Sequence, residues 1–203
     1  MMAKYEMKFE NLCAMPDTEM EILEDGTVRV CKVNTLVPDI NTYVSLTDTD
    51  FHNGTIDIDV CGRLQKDAPA DARGFIGIVF RADEDGREFE GFYIRPTNGK
   101  TCTDPVRKAH GCQYFSFPGY TFAYFRQFAI TGYEAEVNTI ELNEWSHIRA
   151  VIENDNACFY VDDQKVLEVN GMKHGSEKRG KIGLYVDNGT DGLFRNPEIT
   201  YAD

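Results

Sequence analysis

Asp57 and Asp59 are the first pair whose types and spacing suit chemistry. In Thr55-Ile56-Asp57-Ile58-Asp59-Val60 apolar and polar residues alternate, so a strand here sets both carboxylates on one face. That spacing approaches the roughly 5–9 Å between the two carboxyl groups of glycosidases. The ordinary alternative is a polar strand face turned to water. Glu134, His147 and His110 are further candidates for proton transfer, and His52 and His174 sit in turn-like contexts. The sequence holds no Gly-x-Ser-x-Gly elbow, no His-Glu-x-x-His and no phosphate-cradling glycine loop.

A second constellation suits binding. Segments 74–81 and 91–96 flank the charged loop ADEDGR and predict an antiparallel pair with Ile76, Ile78, Phe80, Phe92 and Ile94 on one face. Arg81, Tyr93 and Arg95 then share the opposite face, and Gly77 and Gly91 leave space above it. His147 and Arg149 hold the matching face of a third segment. If that face is a concave groove, arginine forks and tyrosine rings suit sugar hydroxyls, carboxylates or phosphates. If it is the exterior, Arg149 pairs with Asp57 or Asp59 and contributes little. Asn98, Arg107, His110, Gln113 and Tyr114 lie where a following loop can lean over such a groove.

That loop is unusual. Residues 91–128 carry a local charge of +4 in a chain of net charge −13, which leaves −17 on the remainder. The same stretch packs Tyr114, Phe115, Phe117, Tyr120, Phe122, Tyr124, Phe125 and Phe128 close together. A basic, aromatic insertion at about 97–128 reads as a roof over a binding face, since long loops in compact domains are usually functional. The alternative is a small hydrophobic cluster under the loop, or a surface that buries against a partner or a second copy of the chain.

Metal chemistry has less support. Cys102, His110 and Cys112 lack the paired knuckle of a zinc site. Asp187, Asn188 and Asp191 form an oxygen-rich stretch able to hold a structural calcium ion, as any Asn/Asp turn can. No other cofactor is expected. The six cysteines show no compact framework spacing, with Cys102 and Cys112 the one pair to watch.

With 203 residues, 42% apolar and 27% charged, the chain can bury a core without staples. The acidic balance disfavours nucleic-acid backbones and anionic membrane surfaces. No apolar run approaches the ~20 residues of a membrane span. The opening MMAKYEMKFENL has no apolar core or cleavage site, so the cytoplasm is the expected compartment unless a leader has been removed.

Short alternating segments position these residues. Strands are expected at 27–33, 43–46, 55–60, 74–81, 91–96, 134–142, 145–153, 157–161, 165–169, 180–186 and 192–200, with turns at 8–12-residue spacing and a helical turn at 104–109. The pattern predicts an all-β sandwich in a single domain, 1–203.

The last third carries WSHIRAVIE from Trp145, FYVDDQKV from Phe159, GKIGLYV from Gly180 and GLFRNPEIT from Gly192. Together with GFIGIVFR from Gly74 and GFYIRP from Gly91, it resembles the concanavalin A-like lectin/glucanase superfamily. The laminin-G-like type is the match, nearest to its unknown-function or 3-keto-disaccharide hydrolase branch. The resemblance covers about 51–200 and implies a two-sheet antiparallel jelly roll. It specifies the fold better than the chemistry, because relatives range from sugar binders to glycosidases to adhesion modules. The superfamily's catalytic Glu-x-Asp-x-(x)-Glu strand is incomplete: after Asp57 and Asp59 the third acid falls at Cys61 or Gly62. The leading expectation is recognition of a carbohydrate or other polyhydroxylated or anionic small ligand. The alternatives are a glycoside-acting hydrolase and a non-catalytic interaction domain.

Overall fold

The computed structural model describes residues 3–202, so Met1 and Met2 of the amino-terminal segment lie outside the described residues. The strands in the first half are β1 (Ala3–Lys4), β2 (Leu12–Ala14), β3 (Thr18–Ile22), β4 (Val28–Lys32), β5 (Tyr43–Phe51), β6 (Gly54–Leu64), β7 (Ile76–Ala82) and β8 (Phe89–Ile94). There follow β9 (Cys112–Phe117), β10 (Glu134–Ala135), β11 (Ser146–Glu153), β12 (Asn156–Val161), β13 (Gln164–Asn170), β14 (Gly180–Val186) and β15 (Thr190–Tyr201). Two short helices, α1 (Pro105–Lys108) and α2 (Phe122–Gln127), lie between β8 and β10. Among the described residues, no helix is long and apolar enough to cross a membrane.

The strands form two antiparallel sheets packed face to face, a concanavalin A-like jelly roll. One runs β13-β12-β11-β6-β15-β4-β3, with β1 added on β15; the other runs β10-β9-β8-β7-β14-β5-β2. Inward residues at period two fill the space between them. Ile56, Ile58, Val60, Ile148 and Ala150 from the first sheet meet Ile76, Ile78, Phe80, Phe92 and Leu184 from the second, all at most 1% exposed. At about 25 cal/mol per Å² this apolar burial is the main term holding the sheets together.

The second sheet is buried on both faces. Its outer side carries Tyr43, Val79, Phe89, Tyr93, Phe115 and Tyr185, with Phe75 and Phe117 packed at the margin. Phe89 stacks on Phe117 at 5.2 Å, and Tyr93 meets Phe115 edge-on at 5.4 Å. The expected space above Gly77 and Gly91 is therefore not a ligand space. A Cβ at Gly91 lies 2.3 Å from the Phe115 ring, and one at Gly77 lies 2.0 Å from the Phe92 carbonyl.

Two further expectations are corrected, and two strands were not anticipated. The 97–128 segment is not all roof: β9 lies within it and joins β8 to β10 inside the sheet. The strand expected at 134–142 stops at Ala135, after which the chain leaves the ladder. β2 and β3, short and half exposed, carry too little apolar alternation to be read in advance. The helical turn near 104–109 does form. Asp104 caps α1 by accepting Val106 N at 2.9 Å and Arg107 N at 3.4 Å, with Pro105 at the first helical position.

Candidate functional site

Tyr93 and Arg95 leave the end of β8 on the outer side of the second sheet, and a cavity of about 400 Å³ opens beside them. Its wall is built by four parts of the chain: the 36–39 loop, the 71–75 segment, the stretch from Tyr93 through α1 and α2, and Asp187-Asn188 after β14. Phe75, Tyr93 and Phe122 supply ring faces; Arg73, Arg95, Arg107 and Arg126 supply guanidinium groups.

Arg95 is nearly fully buried and its fork is fully engaged. Nη1 donates to His110 O at 3.1 Å and to Glu134 Oε2 at 3.3 Å. Nη2 donates to Tyr93 Oη at 3.1 Å and to Gln113 Oε1. Burial alone would lower its pKa, but Tyr93, Glu134 and Asp39 outweigh it and hold the cation charged. Its guanidinium carbon lies 5.0 Å from the Tyr93 ring centre and 5.5 Å from that of Phe122, and that of Arg126 lies 4.7 Å from the Phe122 ring centre. Arg107 donates to Asn98 Oδ1 and Thr97 O, while Asn98 Nδ2 donates to His110 O at 2.9 Å. Five of the residues expected at the groove, Tyr93, Arg95, Asn98, Arg107 and His110, thus line one cavity, with Gln113 directly behind it.

Asp39 faces the same cavity and no alternating pattern marks it in the sequence. It is 2% exposed with a left-handed backbone, φ 52°. Its carboxyl accepts Tyr93 Oη at 3.2 Å and Phe122 N at 2.7 Å. Burial, then the neighbouring Asp187, pushes its pKa up from 3.8 to about 6. Asp187 in turn accepts Lys32 Nζ at 2.6 Å, Asn188 N at 2.8 Å and Asp39 N at 3.0 Å. The Lys32–Asp187 pair is buried on both sides.

Glu134, expected as an acid or base, instead gathers cations at the back of the cavity. Its oxygens lie 3.3 Å from Arg95, 2.9 Å from His110 Nδ1 and 3.6 Å from Arg126. Burial pushes the His110 pKa down, Glu134 opposes this, and Arg126 and Arg95 reinforce it.

Other expected residues lie elsewhere. Arg81 does not share a face with Tyr93. The ladder slips one residue beside it, its φ is 53°, and its guanidinium donates to His52 O at 2.9 Å, Gly175 O at 3.2 Å and Asn154 O at 2.6 Å. It ties three turns together at one end of the sandwich. Tyr114 points into the core, where it bonds Glu90 and accepts Lys173 N at 2.9 Å, so it does not lean over the groove.

Asp57, Asp59, His147 and Arg149 belong to the other sheet, on its outward face. There β11 pairs with β6 so that His147 stands opposite Asp59 and Arg149 opposite Asp57. His147 reaches Asp57 and Asp59 at 3.0 Å each, Arg149 reaches Asp57 at 2.6 Å, and Asn196 reaches Asp59 at 2.9 Å. This is the ion-paired strand face, and both carboxylates are engaged. Asp191 likewise pairs with Arg29 at 2.7 Å and Arg63 at 2.8 Å. With Lys32 on Asp187, the two acids do not form one oxygen-rich loop for a cation. Cys102 and Cys112 carry free thiols.

The solved structures with this fold include a carbohydrate-binding module, CBM66, from Bacillus subtilis. It is 15% identical at a TM-score of 0.63, covering 94% of this chain and 96% of that one. A candidate glycosyl hydrolase from Parabacteroides distasonis is 14% identical at 0.58, covering 99% of each chain. Peanut lectin is 10% identical at 0.55, covering 98% and 96%. These likenesses bear on the fold. No curated protein matches the chain. The model of the 3-keto-alpha-glucoside-1,2-lyase-like domain, however, matches from residue 8 to residue 200, through both sheets and every wall of the cavity, and the chain belongs to that family.

Proposed function

We propose that the protein binds a carbohydrate in the cavity beside Tyr93 and Arg95. The observation that carries this reading is the wall itself: ring faces and guanidinium forks share about 400 Å³, within the range of small-molecule sites. Rings stack on the C–H faces of a sugar, and fixed donors set its orientation through the hydroxyls. The family and the carbohydrate-binding module of the same fold support the assignment. A thermal-shift screen against neutral and acidic sugars tests it. A ligand at about 100 times its Kd adds about 2.7 kcal/mol of stability. A hit that survives in Arg95→Gln protein, or a flat screen of folded protein, counts against the cavity.

A second reading, catalysis in the same cavity, is favoured by one observation. Asp39 is a buried carboxyl whose pKa is raised to about 6, hydrogen-bonded to a tyrosine hydroxyl in a cleft. A 1,2-elimination from a 3-keto glucoside needs a base for the C2 proton, which the adjacent carbonyl acidifies, and a donor for the departing C1 oxygen. Asp39 and Tyr93 are the pair proposed for these tasks. Incubation with a 3-keto glucoside tests it: Asp39→Asn protein should bind the compound but not release its aglycone.

A further inference from the structure

We propose that the sugar taken by this cavity carries an anionic oxygen group, a carboxylate or a sulfate ester, received by Arg73 and Arg107; this rests on the cavity being the sugar site. Four arginines line the wall, and they divide sharply by partner. Arg95 and Arg126 each lie near Glu134, at 3.3 and 3.6 Å. Arg73 and Arg107 have no carboxylate within 4.0 Å among the described residues. Arg107 rests on neutral oxygens only, donating to Asn98 Oδ1 at 3.2 Å and to Thr97 O and Thr97 Oγ1 at 3.0 Å each. Arg73 Nη1 donates to the carbonyls of Ala70 at 3.1 Å and Ala72 at 2.8 Å.

The contrast with the rest of the molecule gives this weight. The chain has 34 acidic residues against 21 basic ones, so carboxylates are abundant. Outside the cavity Arg29, Arg63, Arg87, Arg149, Arg179 and Arg195 each pair with one. Within the cavity the remaining acids are turned to other partners: Asp187 to Lys32, and Asp39 to Tyr93 and Phe122 N. Asp71, exposed at the mouth, acts on Arg73 only through its charge.

The two arginines are also held together. Thr97 N donates to Arg73 O at 3.3 Å, and the Thr97 carbonyl accepts Arg107 Nη2, so one residue anchors both. Burial, then Arg107 and Arg95, push the Arg73 guanidinium down and the charge of Asp71 only partly opposes them, as expected of cations crowded with no carboxylate in contact. A two-oxygen anion relieves that crowding and matches the planar forks in a way that a neutral hydroxyl does not.

The test is calorimetric titration of the full chain with D-glucose, D-glucuronate and D-glucose 6-sulfate, at about 50 and about 500 mM salt. At least one acidic sugar should bind ten-fold or more tightly than glucose, a gap of about 1.4 kcal/mol. That gap should shrink at high salt and vanish in R73Q/R107Q protein. The stronger of the two acids identifies a carboxylate or a sulfate as the source. R73K/R107K, which keeps the charge and folds if the glutamine variant does not, should retain a salt-sensitive preference. If glucose binds as tightly as both acids, or if the gap survives in R73Q/R107Q, the inference fails and the sugar reading stands. If none of the three binds to folded protein, both fail.

Discussion

The hydroxyl of Tyr93 lies 3.2 Å from Asp39 Oδ1 and 3.2 Å from Gln113 Oε1, with Arg95 Nη2 donating to it at 3.1 Å. One phenolic proton faces two acceptors. When Asp39 is ionised the proton goes to the carboxylate; when Asp39 is protonated it donates to Tyr93, which is then free to donate to Gln113. The charge state of Asp39 therefore sets the hydrogen-bond pattern of the cavity floor.

The raised Asp39 pKa is also a stability statement. Between 3.8 and about 6 the folded state holds a proton that the unfolded state has lost, so this group's contribution falls as pH rises through that window. Asp39→Asn removes the effect. Relative to wild type, the variant should gain on the order of 2–3 kcal/mol between pH 4 and pH 7. Urea denaturation of both proteins across that range checks it, and a constant difference contradicts it.

Arg95→Ala strips a buried cation from Glu134, Tyr93 and Gln113 together. Removing one partner of a buried pair costs about 3–5 kcal/mol, and that loss is expected in denaturant melts. Arg95→Lys should recover part of the stability without the fork that ties Tyr93, Gln113 and Glu134 together.

His147 offers a control on the opposite sheet. Burial lowers its pKa, but hydrogen bonds to Asp59 and Asp57 outweigh that and raise it. A raised histidine contributes fully below its unfolded pKa and loses the contribution as pH rises through the folded value. The stability gap between wild type and His147→Gln, screened to under about 1 kcal/mol at this partly exposed site, should shrink from pH 6 to pH 8. Sugar affinity should not change.

Gly91→Ala tests the filled outer face of the second sheet. The added carbon meets the Phe115 ring, itself wedged against Phe89 and Tyr93, so a loss of about 1–3 kcal/mol in thermal or chemical melts is expected. A neutral outcome means that the ring moves aside.

The sandwich was legible because its inward residues alternate. The β6 and β7 stripes, Ile56-x-Ile58-x-Val60 and Ile76-x-Ile78-x-Phe80, turn out to face each other across the core. Tyr93, Arg95 and the residues from Asn98 to Gln113 were readable as one neighbourhood because they follow a single strand and the turns after it. Asp39, Arg73 and Asp187 were not, since sheet topology carries them to Tyr93 from distant positions in the chain. A one-residue ladder slip, which alternation cannot foresee, turns Arg81 away from the face that carries Tyr93. His147 and Arg149 take the exterior, ion-paired alternative, because a period-two pattern tells which side of a strand is polar but not which of two sheets the strand joins.

The central claim is that the sugar sits on the outer face of the second sheet, against Phe122 and Arg126, and not on the ion-paired face of the first. Calorimetric titration of wild type, Phe122→Ala, Arg126→Ala and Arg149→Ala with the best ligand from the screen tests it most directly. Phe122→Ala and Arg126→Ala should each weaken binding about ten-fold, as loss of about 1.4 kcal/mol implies, while Arg149→Ala leaves it unchanged. Weakened binding in Arg149→Ala with the two cavity variants intact would contradict it.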